Sequence, residues 1–139
     1  MALVYITRKE HFNAAHKLWN EKWSEEKNFE MFGKCANPNW HGHNYTLFVT
    51  VKGIPEPETG YFVNLKALSS LIRIKITDPL DHKNLNLDVP FLKNMQSSCE
   101  NVAIAIWKEL VDDIKKIGGD LHCIKLYETE NNYVEYFGE

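Results

Sequence analysis

The chain has 139 residues, of which 44% are hydrophobic and 25% are charged, and a formal net charge of −3 with neutral histidines. These values predict one domain over residues 1–139 and exclude a disordered or fibrous protein. No nucleic-acid partner is expected, because nucleic-acid binders usually carry a basic face. No membrane partner is expected either, because no apolar run approaches the roughly 20 residues that span a bilayer. Three widely spaced cysteines predict a reducing, cytoplasmic location rather than a disulfide scaffold.

The first half of the chain predicts three strands and a short helix. Residues 3–16 form an extended segment with a bulge, and residues 24–32 form a helix capped by a serine and ended by a glycine. Alternate residues over 41–51 are His, His, Tyr, Leu, Val and Val, which places them on one face of a strand. Residues 53–60 turn the chain back, and residues 61–64 are predicted to pair with that strand.

The second half predicts two helices and a hairpin. A helix over residues 64–76 is expected to stop at an Asp-Pro pair at 78–79, and Ser97 with Glu100 forms a capping-box pattern for a second helix. Two strands follow in residues 121–137 around an Asn-Asn turn. The order β, β, β, α, α, β, β predicts an α+β fold with helices on one face of an antiparallel sheet.

A His-x-His pair is the sharpest chemical feature. His41 and His43 leave the same face of a strand, and imidazoles spaced in this way can converge on one metal ion. A lone pair of this kind is also compatible with two half-buried polar residues. His16, which follows two alanines at the end of the first strand, is the best candidate for a third ligand. Three histidines with an open fourth position are typical of catalytic zinc.

Cys35 has several interpretations. It would close a structural four-ligand site if it bound the metal. It would act as a general base or nucleophile if it stood off the metal in its polar loop. A third interpretation is a small buried hydrophobic residue.

Two further segments carry acidic groups. Asp81 precedes His82, and Asp–His coupling orients an imidazole, although a turn with a solvated histidine explains the pair equally well. Glu128 alternates in phase with apolar residues of the last hairpin, so its carboxylate needs hydrogen-bond donors from a ligand or from the backbone. Glu100 has a simpler explanation as the partner of the Ser97 cap.

Four segments in this order resemble the 6-pyruvoyltetrahydropterin synthase family. They are FGKCANPNWHGHNY at 32–45, PLDHKNL at 79–85, ENVA at 100–103 and YETENN at 127–132. The five residues between Cys35 and His41 resemble the animal-type enzymes; the related bacterial enzyme usually has three there.

The resemblance implies a role for each matching residue. It implies a zinc triad, a base, an acid/base pair and a group of pterin-binding residues. His16, His41 and His43 would form the zinc triad, and Cys35 would be the base. Asp81 and His82 would form the acid/base pair. The pterin-binding residues would be Glu128, Ser98, Cys99 and Glu100. The family also implies a T-fold, with a four-stranded antiparallel sheet and two helices on one face. Its subunits assemble into a β-barrel as homohexamers, dimers of trimers, with active sites at subunit interfaces.

The implied reaction is a zinc-dependent lyase step. It converts 7,8-dihydroneopterin triphosphate to 6-pyruvoyltetrahydropterin, with elimination of triphosphate, in tetrahydrobiopterin biosynthesis. Two alternatives are a 6-carboxy-tetrahydropterin synthase-like activity and a non-catalytic pterin-binding module. The sequence departs from the family at Trp40, where glycine is usual, and at Ser98-Cys99, where two threonines are frequent.

Overall fold

Two long antiparallel strands form the centre of the sheet. In this computed structural model, which describes residues 1–139, β1 spans Val4–His16 and β2 spans His41–Gly53. Their pairing runs without interruption from Val4 opposite Gly53 to His16 opposite His41. The bulge predicted within the first strand is therefore absent.

Three further strands complete the sheet. β3 (Lys83–Asn84) lies parallel to the end of β1, and β4 (Asp120–Thr129) pairs with β2. β5 (Asn132–Tyr136) pairs with β4, which confirms the predicted hairpin. The sheet order is β3-β1-β2-β4-β5, with four antiparallel strands as predicted and one additional short strand. Two residues are too few for β3 to show an alternating pattern in the sequence.

Four α-helices accompany the sheet: α1 (Glu25–Phe32), α2 (Leu65–Ile72), α3 (Asp78–Leu80) and α4 (Cys99–Lys116). Short 3₁₀ turns span Gly33–Ala36 and Pro90–Leu92. The predicted start of α1 is confirmed, because the Ser24 hydroxyl accepts a hydrogen bond from the Lys27 N–H at 3.1 Å.

The predicted end of the helix beginning near residue 64 is wrong. After α2 the chain passes through a π turn at Arg73–Thr77 and stays helical through α3. Pro79 follows closely after this π turn, in which the Asp78 N–H bonds the Arg73 carbonyl five residues back, so the regular i→i−4 pattern is already interrupted where the proline enters. The wider π turn just before it changes the hydrogen-bond spacing. The proline therefore does not stop the helix.

The predicted cap of α4 is displaced by one residue. The hydroxyl of Ser98, not Ser97, accepts a hydrogen bond from the Asn101 N–H at 3.2 Å. Ser97 is fully buried, and its hydroxyl donates instead to Asn86 Oδ1 at 2.9 Å. Glu100 therefore does not occupy the third helical position that a capping box requires.

Residues 61–64 do not form the strand predicted there. Phe62 and Val63 are buried, and Asn64 caps α2. The Phe62 ring lies so close to Gly53 that a Cβ on this glycine would overlap it. The segment therefore closes over the end of β2 instead of pairing along its edge.

One apolar core lies between the sheet and helices α2 and α4, which confirms the predicted arrangement of helices on one face. It combines Leu47, Val49 and Val51 of β2 with residues such as Leu68 of α2 and Ile106 of α4, all fully buried. The opposite face of β1 and β2 is exposed or half-buried. No helix is long and apolar enough to cross a membrane.

Candidate metal centre and substrate cavity

Three histidines meet where β1 ends and β2 begins. His16 is the last residue of β1, His41 is the first of β2, and the two are register partners. His43 leaves the same face of β2 two residues later. The ring centroids of His16 and His41 are 4.5 Å apart, and each lies 5.0 Å from that of His43. The structure thus brings the three predicted histidines together.

The donor atoms of these rings fit a metal ion. One ligand atom from each ring lies within 4.8 Å of the others. Nε2 of His16, Nδ1 of His41 and Nε2 of His43 are buried and have no hydrogen-bond partner. Buried polar atoms are nearly always partnered in folded proteins, and a metal about 2 Å from each ligand nitrogen would supply that partner.

The backbone fixes the orientation of His16. Its Nδ1 lies 2.7 Å from the carbonyl oxygen of Ser97, and because a carbonyl only accepts, Nδ1 carries the proton and Nε2 keeps its lone pair. Burial lowers the pKa of His16 from 6.5 to about 4; His41 and His43 act in the same direction and the Ser97 hydrogen bond opposes them. Burial also lowers the pKa of His41. Both rings are therefore neutral at pH 7, the form that binds metals.

Glu128 faces the histidines from β4. Its Oε2 lies 3.9 Å from His16 Nε2, and its Oε1 lies 3.8 Å from His43 Nε2. The pairing of β4 with β5 shifts register between Tyr127 and Thr129, so Glu128 occupies a bulge. Bulges redirect side chains near functional sites, and at this one the carboxylate faces the three histidines. No pattern in the sequence predicts this bulge.

A cavity of about 330 Å³ collects most of the predicted site residues. It is lined by one histidine of the centre, by Glu128, and by four residues from other elements: Cys35, Ser98, Cys99 and Glu100. Its remaining wall includes Asn132 and Tyr133 of β5, which sequence reasoning did not select. Both follow Glu128 closely in the hairpin, and that proximity was the only signal available.

The two cysteines of this cavity have different surroundings. Cys35 is half-buried in the 3₁₀ turn after α1, and its carbonyl oxygen accepts a hydrogen bond from the Leu18 N–H at 2.7 Å. Cys99 is buried, and its thiol donates to the carbonyl oxygen of Leu126 at 3.5 Å. Burial raises the pKa of Cys99 to about 12, and Glu128 and Glu100 act in the same direction. Cys99 is therefore a protonated thiol at neutral pH.

The structure does not bring Asp81 and His82 to the same cavity. His82 lines a separate cavity of about 650 Å³, which shares no residue with the one that contains Cys35. Its Nδ1 lies 2.9 Å from Asp81 Oδ2, and its side chain is 79% exposed. Asp81 also accepts the backbone N–H of Asn13 at 2.8 Å, which, together with His82, holds the pKa of this carboxyl below its usual value.

Tyr45 is a buried residue of the site that sequence reasoning placed only on the same strand face as the histidines. It is fully buried, stacks on Phe12 at 4.8 Å, and its hydroxyl has no hydrogen-bond partner. Its ring centroid lies 5.7 Å from that of His43. Burial raises its pKa, with Glu128 acting in the same direction, so the phenol keeps its proton. The alternation along β2 does not distinguish a core residue from a residue beside the three histidines.

Trp40, immediately before the histidine pair, has a left-handed backbone with a φ of 68°. For a bulky residue this conformation costs about 1–2 kcal/mol. The Lys17 ammonium lies 4.6 Å from the Trp40 ring and 5.3 Å from the Trp19 ring. A cation over an indole face contributes about 0.5–2 kcal/mol, so these contacts offset the backbone cost.

The fold and the site together define a class of protein. A sheet of four antiparallel strands carries two helices on one face, and a three-histidine centre lies at one end of that face. The chain is an α+β T-fold domain with a candidate metal centre.

Comparisons with known proteins identify the family. The sequence model described as 6-pyruvoyl tetrahydropterin synthase matches residues 5–139. The human 6-pyruvoyl tetrahydrobiopterin synthase is 46% identical over 136 residues, which cover 96% of this chain and 91% of the human one. The Dictyostelium discoideum protein of the same name is 43% identical, with 98% and 97% covered.

A solved structure agrees with this relationship. The 6-pyruvoyl tetrahydropterin synthase of Caenorhabditis elegans superposes with a TM-score of 0.89 at 37% identity, covering 100% of this chain and 98% of the other. The chain therefore belongs to the 6-pyruvoyl tetrahydropterin synthase family, and its relatives support an enzyme of that kind.

Proposed function

We propose that this protein is a zinc-dependent lyase that converts 7,8-dihydroneopterin triphosphate to 6-pyruvoyltetrahydropterin, with elimination of triphosphate, for tetrahydrobiopterin synthesis. The observation that carries the proposal is the metal centre itself. Three buried histidine nitrogens without partners lie beside a cavity that also contains Glu128 and Cys35. A structural zinc site would close its fourth position with a protein ligand, and the metal-binding cluster here comprises only three histidines.

The three histidines hold the zinc ion. Bound there, zinc would supply Lewis acidity toward the oxygens of the substrate side chain. His16 contributes a fixed ring orientation, because its Nδ1–H is already donated to the Ser97 carbonyl. The rings of His16 and His41, neutral at pH 7, are in the form that binds a metal.

The remaining cavity residues bind the pterin and move protons. Glu128 accepts hydrogen bonds from the N–H groups of the pterin ring, a role that suits a carboxylate lining the cavity. Cys35 removes protons from the side-chain carbons, because it is the half-buried thiol of this cavity that has no hydrogen bond of its own. Ser98, Cys99 and Glu100 at the start of α4 line the pterin position.

Asp81 and His82 act from a second subunit. Within one chain His82 is exposed and lies in a different cavity from Cys35. A homohexamer made of two trimers places this pair of one subunit at the site of another, where His82 returns protons and Asp81 orients it. The exposed edge of β5 and the free part of β1 are suited to such pairing, because unpaired strand edges bind other strands.

Product analysis tests the reaction. The zinc-loaded protein is incubated with 7,8-dihydroneopterin triphosphate, and formation of 6-pyruvoyltetrahydropterin and free triphosphate is expected. Cys35→Ala should retain one zinc per chain and lose turnover; loss of zinc in this variant would make Cys35 a ligand. A 6-carboxy product would support the alternative activity, and pterin binding without turnover would support a binding module.

Subunit mixing tests the shared site. Cys35→Ala and His82→Ala are each expected to be inactive. When the two variants are dissociated and reassembled together, about a quarter of the sites combine an intact Cys35 with an intact His82, if the two residues come from different subunits. No recovery of activity in a verified mixed oligomer would contradict the proposal.

A further inference from the structure

Lys17 and Trp40 lie one residue beyond the last pair of the central strands. His16 and His41 close the β1–β2 ladder, so Lys17 follows one candidate metal ligand and Trp40 precedes another. Here the two strands separate, and the long segment that connects them carries α1 and Cys35. Contacts at this point determine how that segment returns to the sheet.

The Lys17 ammonium contacts two indole rings at this point. It lies 4.6 Å from the centroid of Trp40 and 5.3 Å from that of Trp19. Trp19 is itself fixed, because its backbone N–H and carbonyl both bond the side-chain amide of Gln96. We refer to Lys17, Trp19 and Trp40 as the cation–π clamp.

Trp40 has an unfavourable backbone conformation at this point. Its φ of 68° belongs to a region that favours glycine, and its N–H donates to the carbonyl of Asn37 at 3.0 Å in a tight turn. Backbone outliers of this kind persist only where the surroundings determine them, and they cluster at functional sites. The clamp supplies the surroundings at this position.

The clamp lies beside the connection that locates Cys35. The Leu18 N–H donates to the Cys35 carbonyl at 2.7 Å, so the residue between Lys17 and Trp19 bonds the cysteine directly. We infer that the cation–π clamp of Lys17, Trp19 and Trp40 positions Cys35 over the cavity next to the three histidines. Its importance for catalysis rests on the proposed function, in which Cys35 moves protons.

The clamp is separate from the apolar core. Lys17, Trp19 and Trp40 are half-buried and are not members of the core cluster. Loss of the lysine charge should therefore leave the fold and the histidine centre intact. This separation makes a positioning role distinguishable from a general structural one.

The experiment replaces the cation and keeps its length. Lys17→Met removes the charge, and Lys17→Arg retains a cation that stacks on aromatic rings. A matched control is Lys27→Met, because Lys27 lies 4.5 Å from the ring of Trp23 in the same segment, outside the clamp. Each protein is measured for zinc content, thermal midpoint, turnover, and the rate at which iodoacetamide alkylates Cys35, resolved by peptide mass spectrometry.

We expect the Lys17→Met variant to keep its zinc and to be alkylated severalfold faster at Cys35. Its kcat should fall about ten- to a hundredfold with little change in KM, because a small displacement of a reacting group slows the chemical step. Lys17→Arg should keep the alkylation rate of Cys35 and kcat close to the wild-type values, and Lys27→Met should match the wild type. Wild-type alkylation and turnover in Lys17→Met would overturn the inference, as would equal effects of Lys27→Met. If the wild type had no turnover, the proposed function would fail, and alkylation of Cys35 would still decide whether the clamp positions it.

Discussion

The helix-covered face of β2 has two ends with opposite character. At one end Leu47, Val49 and Val51 are fully buried in an apolar core that needs no further partner. At the other end His41 and His43 continue the same alternation, and each has a buried nitrogen without a hydrogen-bond partner. One half of β2 is therefore fully packed, whereas the other half has buried nitrogens without partners. The alternation of buried and exposed residues is the same in both halves.

The two ends of β2 therefore contribute to different properties, the apolar end to stability and the histidine end to chemistry. An unpartnered buried polar group destabilises a fold by about 1–3 kcal/mol, so the histidine end is maintained by the core and not the reverse. A bound metal reverses part of that cost because it binds the folded chain preferentially. Substitutions at the two ends should consequently affect different measurements.

The largest effect is expected from His41→Ala, which should eliminate stoichiometric zinc. With only two histidines left, the centre falls below the three ligands typical of catalytic zinc. Metal analysis after dialysis measures the loss. His11→Ala is the matched control, because His11 lies exposed on β1 and outside the histidine cluster. Retained zinc in His41→Ala would remove this residue from the triad.

Leu47→Ala should affect the other end of the strand. Leu47 is fully buried, and removal of such a side chain costs about 2–5 kcal/mol of unfolding free energy. Denaturant unfolding measures it, with Leu87→Ala as the control because Leu87 is 71% exposed. The folded fraction should still bind one zinc per chain. Equal destabilisation by Leu87→Ala would contradict the assignment of the core to this half.

The sequence predicted the strands and the histidine cluster because both depend on local alternation. His41 and His43 share a face through period-two geometry, and the two alanines before His16 indicated a close approach. The T-fold came from the family resemblance, which also chose among the interpretations that the residues left open for Cys35 and Glu128. Local patterns and similarity therefore carried different parts of the prediction.

The remaining features depend on tertiary contacts that local patterns do not record. Ser97 resembles a helix cap, but its hydroxyl is taken by Asn86, so the cap moves to Ser98. The segment containing Phe62 resembles a strand, but its ring packs over Gly53 at the end of β2. The separation of His82 from Cys35 also depends on the folded chain and could not be read from spacing.

The pH dependence of unfolding in the metal-free protein should distinguish the histidine end of β2 from the apolar end. Burial lowers the pKa of His16 to about 4, whereas an unfolded histidine titrates near 6.5. Between these values the unfolded chain binds more protons, so stability falls as the pH is lowered through this window. The expected loss between pH 7 and pH 5 is about 2 kcal/mol for this residue.

Denaturant unfolding at several pH values measures this slope. His16→Gln should flatten it, since glutamine does not titrate. Leu47→Ala should lower the stability at every pH without altering the slope. An unchanged slope in His16→Gln would show that the titrating group lies elsewhere.

The smallest effect is expected at the Ser24 cap, and it tests whether the segment carrying Cys35 unfolds apart from the core. Ser24→Ala removes the hydrogen bond to the Lys27 N–H and should destabilise α1 by about 1 kcal/mol, which is about fivefold in local opening. Hydrogen exchange at the amides of α1 should accelerate by that factor while the global denaturation midpoint barely moves. Ser70→Ala, an exposed serine within α2, should alter neither. A matching fall in global stability for Ser24→Ala would mean that α1 and the core form one cooperative unit, and that the two ends of β2 are less independent than their chemistry indicates.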